Sequence, residues 1–186
     1  MNRRLLILVL ISIVSFIGCS QSSAPTERTP AGSSDKIKIC LSPKIKGIAY
    51  FSSCADGARE AAEELGDVEL IYDGPTDGDA RKQAEMIENW VVDGVDVICV
   101  SPNAPDVVAS AMKDAQAQGV KVITWDADAR PDTRSFFVNQ ATSQSIGRGL
   151  VQAMVDDLGS DVAGDVVIIS SDSTSDNQNN WIDVMK

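Results

Sequence analysis

At 186 residues, 44% of them apolar and 23% charged, the chain can bury a core and is not broadly disordered. Its 16 Lys+Arg against 27 Asp+Glu give a net charge of −11, which repels a phosphate backbone and makes nucleic acid a poor partner. Histidine is absent, which excludes Ser-His-Asp triads, Cys-His pairs and His-ligated zinc.

Met1-Asn2-Arg3-Arg4 is a short basic head, and Leu5 through Ile17 is an apolar run interrupted only by Ser12 and Ser15. Such a pattern predicts a signal peptide over residues 1–18. As a helix the apolar run would rise about 20 Å, short of the roughly 30 Å hydrocarbon core, so export is expected rather than a permanent span. Phe16-Ile17-Gly18-Cys19 resembles a bacterial lipobox, with Phe16 where Leu is usual. The resemblance implies lipidation at Cys19 and anchoring to a membrane; ordinary cleavage that leaves Cys19 a plain thiol is the alternative. Residues 19–35, rich in Ser, Thr, Pro, Ala and Gly, predict a flexible tether.

Beyond the tether, Ile37 to Leu41 predicts a first strand, ended by Ser42-Pro43. Ser53 and Asp56 form a box-like helix start, and Ala58, Ala61, Ala62 and Leu65 recur at helical spacing until Gly66. Val68 to Tyr72 is a second strand; Thr76 and Asp79 open a helix whose buried face is Ala80, Ala84, Ile87 and Val91. Val95 to Val100 is a third strand, Pro105 suits a first helical position, and Val108, Ala111, Met112 and Ala115 mark the next buried face. Val120 to Trp125 and Ser135 to Val138 follow as strands. After them come a helix carrying Ile146, Leu150, Ala153, Met154 and Leu158, a strand over Val166 to Ile169, and a helix from Trp181 to Met185. Trp90 and Trp181 are expected in the core, and Glu60, Glu63, Glu64 and Asp67 on a solvated face. Strands joined by helix-length crossovers predict an α/β fold, a parallel sheet flanked by helices.

Ligands of open parallel sheets bind beyond the carboxyl ends of the strands. Those ends carry Lys44, Asp73, Ser101, Asn103, Asp126, Asp128, Asn139 and Gln140, then Asn177 and Gln178, with Tyr50, Phe51 and Trp125 nearby in sequence. Amides, hydroxyls and carboxylates beside aromatic rings suit a polyol, whose hydroxyls take paired hydrogen bonds and whose C–H face packs on a ring. Asp73, Asn103 and Ser53 are equally suited to turns and caps. Asp126-Ala127-Asp128 also reads as the D-x-D motif of a metal-dependent sugar transferase, although no phosphate-binding glycine loop accompanies it. Cys40 and Cys99 lie in apolar runs and are expected as buried thiols, with a bond between them left open.

From about Lys36 onward the chain resembles the type 1 periplasmic substrate-binding proteins of ABC sugar importers, in the branch of the rhamnose-binding and autoinducer-2-binding proteins. The resembling segments are Tyr72-Asp73-Gly74-Pro75-Thr76, Val100-Ser101-Pro102-Asn103, Thr124-Trp125-Asp126-Ala127-Asp128, Phe137-Val138-Asn139-Gln140-Ala141-Thr142 and Asn177-Gln178-Asn179-Asn180-Trp181-Ile182. The resemblance implies two α/β lobes closing over a monosaccharide: a first lobe over residues 36–139, incomplete, and the start of a second over 140–186. The 168 residues that follow the leader are about half what two lobes need, so a truncated second lobe, exposed apolar surface and weak or absent sugar binding are expected of this chain alone.

By the same resemblance Lys44, Asp126, Asn177 and Gln178 contact the sugar, with Phe51, Asn103, Trp125 and Asp128 beside them, and Asn139 and Gln140 lie at a hinge crossing. Asn177 stands where autoinducer-2 binders tend to carry Asp, which favours a neutral sugar such as rhamnose. A membrane permease is the implied partner, with no cofactor or metal; an envelope sensor feeding a membrane kinase is the alternative.

Overall fold

The structure, a computed structural model, describes residues 36–186. The predicted signal peptide, the tether and Cys19 lie outside the described residues. The strands are β1 (Ile37–Ser42), β2 (Val68–Tyr72), β3 (Val97–Val100), β4 (Lys121–Trp125) and β5 (Phe136–Val138); the helices are α1 (Ala49–Leu65), α2 (Ala80–Val92), α3 (Pro105–Ala117), α4 (Ser143–Leu158) and α5 (Asp176–Met185). All strand pairs are parallel, and the sheet order is β2-β1-β3-β4-β5. The chain leaves β1 toward one edge and β3 toward the other, so the loops after these neighbouring strands open a crevice between them, where open α/β sheets bind ligands.

The two faces of the sheet differ. Cys40, Ile98 and Val122 share one row and are fully buried against Ile87 and Trp90 of α2 and Val108, Ala111, Met112 and Ala115 of α3. Proline at the first position of α3, an apolar stripe at helical spacing and Gly119 in the left-handed region beyond its end explain why that helix forms where the pattern places it. On the opposite face α1 lies beside β2, with the Arg59 guanidinium 5.6 Å from the Tyr72 ring centre. That face carries Leu41, Cys99, Ile123 and Trp125, and its rows end in Phe136 and Val138, which stay 53% and 54% exposed.

Helix α1 starts at Ala49 rather than near Ser53, and its N-cap Ile48 makes no side-chain cap bond. Ser53 therefore sits inside the helix; four residues of helical sequence before it sufficed to extend the turn. Helix α2 is capped by Asp79, whose carboxylate accepts from Arg81 N; it buries Gln83, Ile87 and Trp90, and the expected Ala84 and Val91 pack partly buried against the same core. The larger difference lies late in the chain. Val166–Ile169 forms no ladder and is well exposed, Val167 at 83% and Ile169 at 94%, because no strand lies beside it among the described residues. Helices α4 and α5 pack on each other through Gly147, where a Cβ would stand 2.7 Å from the Trp181 carbonyl oxygen. The stripe expected to be buried on α4 is not: Leu150 and Leu158 are exposed.

Cys40 pairs with Ile98 and Cys99 with Leu41, so the two thiols project from opposite faces and are both free. A Cys40 to Cys99 bond, left open by the sequence, is closed off by the pleat. Burial pushes the Cys40 thiol up to about 12 and the Cys99 thiol up to about 11. No helix among the described residues is long and apolar enough to cross a membrane.

Candidate functional site

A cavity of about 720 Å³ opens over the crevice, lined from the sheet side by Lys44, Phe51, Asn103 and Asp126, and from the other side by Gln140, residues 171–175, Asn177, Gln178 and Trp181. Lys44, Phe51, Asp126, Asn103, Asn177 and Gln178, all expected at the site, therefore meet on one surface. Gln140 joins them, and Asn139 next to it is exposed outside the cavity lining.

Lys44 is 92% buried and donates from Nζ to Ser175 Oγ at 2.9 Å and to Asn177 Oδ1 at 2.8 Å. Burial lowers the affinity of its amine for a proton, opposed by the charges of Asp126, Asp176 and Asp172. The contact joins the end of β1 to the first turn of α5. Asn177 and Gln178 thus stand on a helix start and not in a loop, since α5 begins at Asp176, five residues before the expected Trp181. Gln178 Oε1 accepts from Ser170 Oγ and from Ser171 N, fixing the segment ahead of the helix.

Asp126 sits at the apex of a very tight turn. Ala127 N donates to Trp125 O at 2.6 Å, and Asp126 has φ 61°, the left-handed region, as in the rare and strained form of the γ-turn. This turn swings the carboxylate off the strand line toward the crevice. Ser101 donates from Oγ to Asp126 Oδ2 at 2.7 Å, and Gln140 from Nε2 to Oδ1 at 3.4 Å, leaving further lone pairs of the carboxylate for a ligand.

The aromatic side is a stack of edges. Phe51 meets Tyr50 at 5.1 Å and Trp125 at 5.7 Å between ring centres, both edge to face. Tyr50 lines the cavity, and burial first, then the Asp126 charge, push its phenol above its ordinary range. Trp125 does not line the cavity; its indole N–H donates to Cys99 O at 3.3 Å, so it supports Phe51 from behind. Trp181, expected in the core, is half-buried and lines the cavity instead.

Asp128 departs furthest from expectation. Its carboxylate is taken up by Thr124 Oγ1, Ala129 N and both Nε and Nη2 of Arg134, at 2.6 to 2.8 Å, and it lies outside the cavity lining. Burial works to raise its pKa, and the Arg134 and Thr124 bonds outweigh it and hold the carboxyl below 3.8. Asp128 thus ties β4 to the segment entering β5. The two acids of Asp126-Ala127-Asp128 serve separate partners, and among the described residues no group of His, Cys, Asp or Glu is placed to hold a metal ion.

Sequence reasoning passed over Gln83. This α2 side chain is 0% exposed, donates from Nε2 to Ser42 Oγ, Pro43 O and Ser101 O at 2.9 to 3.2 Å, and accepts from Asn103 N at 3.0 Å. Asn103 in turn donates from Nδ2 to Lys44 O. The signal available was a polar residue one position before Ala84 on a face otherwise set by Ile87 and Trp90.

Residues 39–186 match the family model of the periplasmic binding protein domain. Among solved structures, LsrB from Clostridium saccharobutylicum in complex with AI-2 is 31% identical, with a TM-score of 0.73 over 80% of this chain and 47% of that one. An ABC transporter solute-binding protein from Clostridium phytofermentas with bound L-rhamnose is 30% identical, with a TM-score of 0.74 over 81% and 46%. The ribose import binding protein RbsB of Bacillus subtilis is 27% identical over 131 residues, 69% of this chain and 42% of the relative. The chain thus spans about half the length of the solved relatives it matches.

Proposed function

The chain belongs to the family of periplasmic binding protein domains, and from that premise we propose that it captures a neutral monosaccharide, rhamnose-like in character, or autoinducer-2, and hands it to an ABC permease. The observation that carries this reading is the convergence of Lys44, Asn103, Asp126, Gln140, Asn177 and Gln178 with Phe51 on one cavity. One ammonium, one anchored carboxylate and several amides match a ligand that is rich in hydroxyls and carries no net charge. By the resemblance given above, Asn177 at a position where autoinducer-2 binders tend to carry Asp favours the sugar over autoinducer-2. Capture is reversible and involves no covalent step; the family is one of binding proteins rather than enzymes.

In this reading β1 to β5 form the first lobe, over residues 36–139, and α4 and α5 open the second, with Asn139 and Gln140 at the crossing. Closure of the lobes replaces the water around the sugar with oriented donors and acceptors, and the shifted population is what the membrane partner reads. The leader over 1–18, a lipid on Cys19 and the 19–35 tether would hold the protein at the cell envelope, above the permease; the mass of mature Cys19 tests the anchor.

The deciding experiment is a thermal-shift screen of the full-length protein, with chelator present, against L-rhamnose, other deoxy-sugars, pentoses, hexoses and autoinducer-2. A saturable rise in Tm with a neutral sugar is expected. A shift seen only with a nucleotide sugar and a divalent cation would overturn the reading.

A further inference from the structure

We propose that Gln83 is the positioning residue of the cavity, a single buried amide on α2 that sets the spacing of the loops carrying Lys44, Asn103 and Ser101. The inference rests on the sugar-binding reading for its functional consequence. Both strands that flank the crevice end in the same dipeptide, Ser42-Pro43 after β1 and Ser101-Pro102 after β3. Proline has no N–H, so the parallel ladder stops there and the carbonyls at the two strand ends lose their regular donors. Ser101 N still reaches Ser42 O at 2.8 Å, but Pro43 O and Ser101 O turn to the Gln83 amide, at 3.1 and 2.9 Å.

A methionine would fill the same space beside Ile87 and Trp90. What it could not do is donate to one loop and the next while accepting from Asn103 N. Every bond that the Gln83 side chain makes goes to a strand end or its loop, and each loop leads directly to a cavity group. Lys44 follows Pro43, and its carbonyl oxygen takes the Asn103 side-chain amide. Ser101 carries the hydroxyl that holds Asp126. The amide therefore fixes the distance between the ammonium and the carboxylate that would grip one ligand from two sides, without touching that ligand: Gln83 is absent from the cavity lining.

The test uses the full-length protein and its Gln83→Met variant, each shown by circular dichroism to be folded at the temperature of measurement. Amide exchange without ligand should rise at least about tenfold at Ser101 and Asn103 and stay unchanged at Ile98 and Val122, and affinity for the sugar found by screening should fall by about tenfold or more. A variant that melts earlier yet keeps the wild-type affinity and the Asn103 protection would make Gln83 mere filling and overturn the proposal. Should the variant not fold, the wild type decides: the Gln83 side-chain amide protons should exchange far more slowly than those of exposed Gln118, and equal rates overturn it. If the wild type binds no sugar, the sugar reading fails, and the exchange pattern at Ser101 and Asn103 still decides whether Gln83 holds the loops.

Discussion

The Ser101 hydroxyl at the end of β3 donates to the Asp126 carboxylate 2.7 Å away, at the apex of the turn that follows β4. A buried serine thereby aims a charge that the backbone has already turned out of line. Asp126→Ala is expected to lower sugar affinity by about 2 to 4 kcal/mol, as for a charged hydrogen-bonding group lost from a desolvated site. Calorimetry on the full-length protein measures it, and an unchanged affinity would remove Asp126 from the site.

Asp128, two residues on, should behave in the opposite way. Its carboxyl titrates below 3.8 when folded, so its contribution to stability is present above about pH 4 and is lost as pH falls through the folded value. Asp128→Asn should cost about 1 to 3 kcal/mol at neutral pH, flatten the acid limb of the stability curve, and leave sugar affinity within about twofold. Urea unfolding across pH 2–7 follows the first two effects. An affinity loss as large as that of Asp126→Ala would return Asp128 to the ligand.

Lys44 offers a test in alkali. Burial sets its folded pKa below 10.5, so on raising the pH the folded protein releases this proton before the unfolded chain does. The unfolded state then binds more protons, and the stability cost of burying the ammonium shrinks as pH climbs toward 10.5. The ligand-gripping charge is lost over the same range. Sugar affinity of the wild type should therefore begin to decline below pH 10.5, while Lys44→Met should bind about tenfold or more weakly at pH 7 and show no such decline. Parallel profiles for the two proteins would argue against an ammonium contact.

The thiols give a check on the fold that needs no ligand. Cys40 and Cys99, on opposite faces of adjacent strands and with pKa values pushed up to about 12 and about 11, should resist alkylation at pH 8 until the chain unfolds. Of the three cysteines among the described residues, Cys54, half-buried on α1, should react first. Mass mapping of labelled peptides over time reads the order; a Cys40 to Cys99 disulfide in the native protein would refute the register of β1 on β3.

The sheet was legible because its strands are apolar on both faces and separated by helices with clear stops, so the runs at Val97–Val100 and Lys121–Trp125 fall within a residue or two of their expected bounds. Polar residues at strand ends were legible for the same reason: once strands are placed, topology decides which loops converge. What failed depended on contacts between distant parts. An apolar run such as Val166–Ile169 becomes a strand only if another strand lies beside it, and the stripe on α4 is buried only where something covers it. Asp126 and Asp128 look alike in sequence; Arg134, six residues further, separates their roles. Gln83 looked like one more polar helix residue because its partners are two Ser-Pro breaks, one 40 residues before it and one 18 after.

The left-handed backbone at Asp126 sets stability and recognition against each other at one position. Glycine there would relax the turn and discard the charge in a single step, so a library screened for heat resistance alone should enrich Asp126→Gly and drift toward proteins that are sturdier and blind to their ligand.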